Sequence, residues 1–209
     1  MRPSIKQFVK ICGETLPIQE PIYEFGSMQV PGQEGFADLR PCFPGKKYIG
    51  ADISQGTGVD VILNLHNISL QSGSVGTVIS CDTLEHVEYP RKALSELYRI
   101  LSPGGILIIS SVMLYNIHAA PNDYWRFTPE GFKSLLSQFP SSYVDWNGNE
   151  ENPHTVIGVG MKADYSFNEL KSRRNEWRSI RDVPIHTQFF TSIVKGKKRV
   201  EKLFKREKM

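Results

Sequence analysis

The feature that most constrains this chain is a series of short apolar runs, each closed by a glycine or polar residue and set apart from the next by a crossover-length stretch. Pro21-Ile-Tyr-Glu-Phe25 ends on Gly26, and Lys47-Tyr-Ile-Gly-Ala51 ends on Asp52. Val59-Asp-Val-Ile-Leu63 ends on Asn64, Thr77-Val-Ile-Ser80 on Cys81 and Asp82, and Ile106-Leu-Ile-Ile109 runs into serines. Short β-branched runs of this kind, bounded by turn residues, read as strands buried on both faces, the property of a parallel sheet covered by helices.

The punctuation supplies the helices. Pro90 stands at a first helical position, and Ala93/Leu94, Leu97/Tyr98 and Ile100/Leu101 follow at helical spacing until Pro103-Gly-Gly105 stops the pattern. Thr128 as N-cap with Pro129 behind it opens a second helix through Phe132, Leu135, Leu136 and Phe139. Between the first two strands, Phe36, Leu39 and Phe43 supply only a short helix or turn before Pro44-Gly45. Tyr143 to Trp146 and Thr155 to Met161 flank a Gly/Asn-rich turn and are expected to pair antiparallel. The expected architecture is a three-layer α/β sandwich on a mostly parallel seven-stranded sheet with an antiparallel terminal hairpin.

A chain of 209 residues, 40% hydrophobic, can bury one core and has no internal break for a second large domain. We expect a domain over residues 1–163 with a short N-terminal lead, and a basic helical extension over 164–209. The three cysteines, Cys12, Cys42 and Cys81, are far apart and lack CxxC or Cys/His pairing, which argues against a disulfide framework or a zinc site and fits a reducing cytoplasm. Arg2 and Lys6 precede an apolar stretch that Lys10 interrupts, and no small-residue cleavage site follows, so a signal peptide is not expected. The longest apolar run, Ile106 to Leu114, is about half the ~20 residues of a spanning helix.

In an open α/β sheet, ligands bind outside the carboxyl ends of the strands, where the topology reverses. The residues to inspect are Glu24-Phe25-Gly26-Ser27, Asp52-Ile53-Ser54, Asn64-Leu65-His66, and Cys81-Asp82 followed by Glu85-His86. A carboxylate such as Asp52 can accept two hydrogen bonds from a ribose diol, and Gly26 lets a ligand approach the backbone. Each residue taken singly is equally well read as a turn former.

In register they are more specific. Glu24-Phe-Gly-Ser27, Tyr48-Ile-Gly-Ala-Asp52, Thr83-Leu-Glu-His-Val87 and Leu101-Ser-Pro-Gly-Gly105 resemble the successive motifs of the type 11 class I S-adenosylmethionine-dependent methyltransferases, over roughly Pro21 to Gln138. Asp123-Tyr-Trp-Arg-Phe-Thr-Pro-Glu-Gly131 resembles a bacterial subgroup that accompanies cell-surface polysaccharide synthesis. The resemblance implies the Rossmann-like class I fold and S-adenosylmethionine as cofactor. It places Glu24 at the amino group of the methionine part, Phe25, Gly26 and Ser27 along its backbone, Asp52 at the ribose, Ile53 against adenine, Asn64 and Leu65 at the adenine edge, and Cys81 beside the methionine portion. His86 falls at the start of the following helix, where orienting that turn is the plainer role. Met28 and Val30 stand where the wider family has glycines, and the missing GxGxxG also argues against a dinucleotide.

The acceptor side is expected on the connection after the fifth strand, with His118 or Asp123 as general base, Tyr124 and Trp125 as walls and Arg126 as an anion contact. The alternative is that Tyr124, Trp125 and Phe127 anchor the core while Asp123 and Arg126 pair. Methyl transfer from a sulfonium is an in-line displacement that asks for no metal. The implied function is O- or N-methylation of a small-molecule or glycan-type acceptor. The rivals are a non-catalytic cofactor-binding module and a nucleic-acid methyltransferase using the basic tail.

That tail, Lys195 to Met209, holds eight Lys/Arg against Glu201 and Glu207, so the residues before it are net acidic although the whole chain is +3. Charge confined to an appendage argues against nucleic acid as the substrate. Phe189, Phe190, Ile193, Val194, Val200, Leu203 and Phe204 give an interrupted amphipathic helix, suited to packing on its own domain or to contact with an anionic membrane or a protein partner. Nothing in the sequence sets the oligomeric state.

Overall fold

The computed structural model describes residues 1–118, 122–180 and 182. Its centre is a seven-stranded sheet of β1 (Ile22–Phe25), β2 (Tyr48–Asp52), β3 (Val61–Ile62), β4 (Val75–Cys81), β5 (Leu101–Val112), β6 (Ser141–Gly148) and β7 (Pro153–Met161), in the order β3-β2-β1-β4-β5-β7-β6. The first five strands pair in parallel, and β7 runs antiparallel to both β5 and β6. This is the architecture expected from the apolar runs. Strand order reverses between β1 and β4, which are neighbours through Ile22↔Thr77 and Glu24↔Ile79 although some fifty residues of chain lie between them.

Helices α2 (Pro90–Ile100) and α3 (Pro129–Leu135) cover one face. Their Ala93, Leu94, Leu97 and Phe132 share a core with Phe25, Ala51, Val78, Leu107 and Ile109. Thr128 caps α3 by accepting from the Gly131 amide at 3.0 Å, as its place before Pro129 predicts. On the other face Ile106 and Ile108 alternate away from Leu107 and Ile109 and pack with helix α1 (Pro3–Thr15) through Ile5, Phe8, Val9 and Cys12.

Three elements differ from the sequence expectation. The lead before β1 is a full helix, α1, whose Ile5, Phe8, Val9, Ile11 and Cys12 are buried on an apolar face that Lys6 and Lys10 do not interrupt, because both project from the opposite side. Strand β3 has two residues instead of five, since it lies at the sheet edge with Ile62 exposed and pairs only with Asp52 and Ala51. Strand β5 begins at Leu101, before the Pro103-Gly-Gly105 stop. Leu101 pairs with Val75, the ladder slips where Gly104 takes φ +73°, and pairing resumes at Thr77↔Ile106.

After β7, α4 (Asn168–Ser172) and α5 (Arg174–Arg178) return to α1, where Phe167, Leu170 and Trp177 complete the second core. The Trp177 ring lies 5.5 Å from Phe8, centroid to centroid. The stretch directly beyond residue 163 is thus packed on the N-terminal helix. The amphipathic helix expected across Phe189 to Phe204 lies outside the described residues. No helix among those described is long and apolar enough to cross a membrane.

Because Trp177 is buried and truncating an aromatic leaves a cavity that core neighbours fill only in part, Trp177→Ala is expected to lower unfolding free energy by about 3–5 kcal/mol. Urea melts of the full chain read this directly. A loss below about 1 kcal/mol would mean that α5 adds little to the core.

Candidate active site

A cavity of about 840 Å³ opens at the carboxyl ends of β1, β2, β3 and β4, at the reversal of strand order. Glu24, Phe25, Gly26, Ser27, Asp52, Ile53, Asn64, Leu65, Cys81 and His86 all line it. Four strand ends therefore converge on one space, as the register of the motifs implied.

The turn after β1 is shaped by contact as well as by chain direction. Gly26 has φ +86°, and a Cβ there would stand 2.1 Å from the Thr83 hydroxyl, so a side chain is excluded by both conformation and space. Thr83 holds the turn from below through its hydroxyl, which donates to the Phe25 carbonyl at 3.3 Å or the Cys81 carbonyl at 3.0 Å. Beside it, Ser27 lines the cavity while its Oγ is enclosed, turned toward Gly50 and without a hydrogen-bond partner among the described residues. Glu24 is buried and accepts from Tyr48 Oη at 2.8 Å. Burial pushes its carboxyl up to about 7, against the lowering effect of that bond. Across the gap, Asp52 accepts from the amides of Ser54 at 3.0 Å and Met28 at 3.2 Å, which orients its carboxylate at the end of β2. A glycine cradle, a buried acid and an oriented carboxylate suit a ligand with an amino group and a ribose, and S-adenosylmethionine carries both.

The floor contains one residue that sequence reasoning missed, Arg2. Arg2 is buried and donates to both oxygens of Asp82, through Nε at 3.1 Å and Nη2 at 2.6 Å, while Nη1 contacts Thr155 Oγ1. Burial acts to raise the Asp82 carboxyl, and the Arg2 guanidinium overrides it and holds the group below the ordinary carboxylate range. Asp82 itself sits at φ +50°. The amphipathic pattern of α1 was the available sign that Arg2 lies inside, since a residue entering a buried helix shares its environment. The short 3-10 turn Leu84–His86 follows, with Glu85 1% exposed and accepting from Ser111 Oγ at 2.7 Å. Burial, reinforced by the Asp82 charge, raises Glu85 to about 7. Burial also raises the Cys81 thiol, which leaves it neutral.

On the acceptor side His118 lines the cavity, as do Tyr115 and Tyr124. Asp123 and Arg126 do not reach it. They form a bidentate pair at 2.5 and 2.7 Å, and the hydrogen bonds from Arg126 hold the Asp123 carboxyl far below its ordinary range. Asp123 also accepts from the His118 amide at 2.8 Å, and Arg126 donates to the carbonyls of Tyr115 and Asn116. In this arrangement both residues position the His118 turn. Trp125 is 44% exposed and so is not the core anchor weighed from sequence. Its indole instead reaches the carbonyls of Val87 at 3.0 Å and Glu88 at 3.2 Å. Phe127 is buried, as that alternative had it.

The Arg2–Asp82 pair is a buried charge whose removal is costly from one side. Arg2→Met is expected to lose about 3–5 kcal/mol of stability by leaving Asp82 unpaired, and Arg2→Met/Asp82→Asn to recover part of it. Since Asp82 titrates lower in the folded state, its stabilising contribution is present above the ordinary carboxylate range and fades as pH falls through it. Denaturant melts of the wild type and both variants at neutral and acid pH measure the two effects together.

Residues 42–109 match the family model described as a methyltransferase domain. No curated protein sequence matches the chain. Solved structures do. An S-adenosylmethionine-dependent methyltransferase from Thermotoga maritima is 20% identical with a TM-score of 0.55, covering 76% of this chain and 92% of its own. A 1,6-didemethyltoxoflavin-N1-methyltransferase from Burkholderia thailandensis, solved with 1,6-didemethyltoxoflavin and S-adenosylhomocysteine, is 14% identical with a TM-score of 0.59, covering 78% and 79%. A methyltransferase of the same cofactor class from Archaeoglobus fulgidus is 16% identical with a TM-score of 0.56, covering 75% and 94%. The chain therefore has the fold of the S-adenosylmethionine-dependent methyltransferases, with a methyltransferase-domain match over residues 42–109 that supports S-adenosylmethionine as its cofactor.

Proposed function

We propose that this protein transfers a methyl group from S-adenosylmethionine to an oxygen or nitrogen of a small-molecule or glycan-type acceptor. The observation that carries this reading is that one cavity joins two chemically distinct halves. Glu24, Ser27 and Asp52 stand on one side, and Glu85, His86, His118 and Tyr115 on the other. A sugar-bearing surface polymer or its precursor is the favoured acceptor class, supported by the resemblance of the Asp123 to Gly131 segment to the polysaccharide-associated subgroup.

The sulfonium supplies an activated methyl and a neutral leaving group. An acceptor lone pair forms the new bond to the methyl carbon as the S–C bond breaks toward sulfur, and the acceptor gives up a proton. What remains for the protein is placement. In this reading Glu24 takes the amino group and Asp52 the ribose hydroxyls, while Gly26 and Ser27 line the methionine part. Ile53, 57% exposed at the cavity rim, offers an apolar surface for the adenine ring beside Leu65. His118 faces the acceptor, held by Asp123 and Arg126.

Calorimetry with S-adenosylhomocysteine tests the donor half. Asp52→Ala is expected to weaken binding by about 1.5–3 kcal/mol, the range for hydrogen bonds to a charged group, and unchanged affinity in a folded variant would remove the ribose assignment. Glu24 gives a pH test with a defined sign. Its carboxyl is partly protonated near neutrality in the free protein, and a cationic amino group favours the ionised form. Binding should therefore release protons and weaken as pH falls from about 8 to about 6. Glu24→Gln should abolish that component. Identical proton release in wild type and variant would place the amino group elsewhere.

A further inference from the structure

We propose that Glu85, His86 and His118 form a site for a divalent first-row transition cation at the acceptor end of the cavity. Each residue offers a donor atom, and the three atoms lie within 4.8 Å of one another. Three ligands around one zinc-like ion, each about 2.0–2.2 Å from the metal, stand about 3.3–3.8 Å apart, so binding would draw the set together by up to about 1.5 Å.

The histidines are held in the form a ligand needs. His86 Nδ1 contacts the Asn122 carbonyl, and His118 Nδ1 lies 3.1 Å from the Asn116 carbonyl and 3.4 Å from Asp123 Oδ2. A carbonyl can only accept, so Nδ1 carries the proton on each ring and Nε2 keeps its lone pair. Hydrogen bonding of the far ring nitrogen to a carbonyl or carboxylate is the usual support of a metal-bound imidazole.

The carboxylate is equally suggestive. Glu85 is 1% exposed and bonds to Ser111 through Oε2, which leaves it a second oxygen. Among the described residues no lysine or arginine forms an ion pair with it, and Arg2 is already bound to Asp82 and Thr155. Buried carboxylates are normally paired or bound to metal. The backbone is fixed as well, because the Tyr124 and Trp125 amides both donate to the Glu85 carbonyl, at 2.8 and 3.1 Å.

Two imidazoles and one carboxylate favour zinc, cobalt or iron over magnesium or calcium, which take mainly oxygen ligands. Three protein ligands leave coordination positions open. Since all three residues line the cavity, an acceptor that brings its own oxygen ligand could occupy one of them. That last consequence rests on the methyl-transfer reading, whereas the cation site does not.

Titration of the chelator-treated full chain with cobalt(II), followed by calorimetry and visible absorption, provides the test. One ion per chain is expected, with Glu85→Gln and His118→Ala each weakening it by more than the roughly 10–100-fold typical of lost supporting contacts. His66→Ala should bind as the wild type does. Circular dichroism and urea melts of the same samples show that the variants are folded, and S-adenosylhomocysteine affinity tests the methyl-transfer reading separately. If a variant fails to fold, His86→Ala and competition of cobalt by zinc in the wild type replace it. Absence of one-to-one binding, or binding that survives both ligand substitutions, would overturn the proposal. In that outcome the edge-to-face contact of the two imidazoles, 4.8 Å between centroids, is aromatic packing.

Discussion

The parallel pairing of β1 with both β2 and β4 is the constraint on which the site depends. Parallel neighbours must be joined by crossovers, and chain that leaves β1 toward β2 on one side and returns as β4 on the other opens a crevice between the strand ends. Glu24, at the end of one strand, and Cys81 and Asp82, at the end of another, are brought together by this reversal and by nothing in the local sequence. Here the crossover from β1 to β2 contains only the 3-10 turn Arg40–Cys42, too little to cover a sheet face. Helix α1 covers it instead. Its packing against Ile106, Ile108 and Trp177, and the Arg2 guanidinium on Asp82, join the N-terminus to the floor of the cavity.

The cavity's electrostatics follow from which acids have a partner. Asp82 has Arg2 and stays ionised, and Asp123 has Arg126 and does likewise. Among the described residues Glu24 and Glu85, one on each side, have hydroxyl partners, Tyr48 and Ser111, and no ion pair, and burial raises both to about 7. A carboxylate buried without a countercharge is one that a cation can pair with. The donor side would meet the amino group of the cofactor, and the acceptor side would meet a metal ion. Both proposals therefore share a physical origin in acids that the fold buries without a countercharge.

The parts of this arrangement legible in sequence were those written in local pattern. Apolar runs mark the strands, Thr128-Pro129 marks the start of α3, and the residues to which the family resemblance assigns the cofactor lie on the cavity wall, as does His86. Arg2 and the helix it precedes are hidden in the sequence, because Lys6 and Lys10 break the apolar run of Pro3 to Thr15 unless it is read at helical spacing. The short β3 escaped for another reason. Val59 to Leu63 has the composition of a five-residue strand, yet only Ala51 and Asp52 are available to pair with it, and pairing is a tertiary property. Trp125 shows the same limit from the other side. An aromatic in an apolar neighbourhood reads as core, but its indole donor sits against two carbonyls and leaves much of the ring outside.

The segment from Asp123 to Phe127 looked like chemistry in the sequence and acts as a clamp in the structure. The Tyr124 and Trp125 amides grip the Glu85 carbonyl, the Trp125 indole grips the end of the same turn, and the Phe127 amide donates to Val112 at the end of β5. Asp123 and Arg126 close on each other and hold the turn from Tyr115 to His118. Two loops that would otherwise be independent, one after β4 and one after β5, are thereby fixed to each other. Glu85 and His86 come from the first loop and His118 from the second. Rigid support of this kind is what a site needs when its groups must sit at defined distances. Polar residues outside the cavity can thus govern its chemistry without touching a substrate, through the distance they set between two loops.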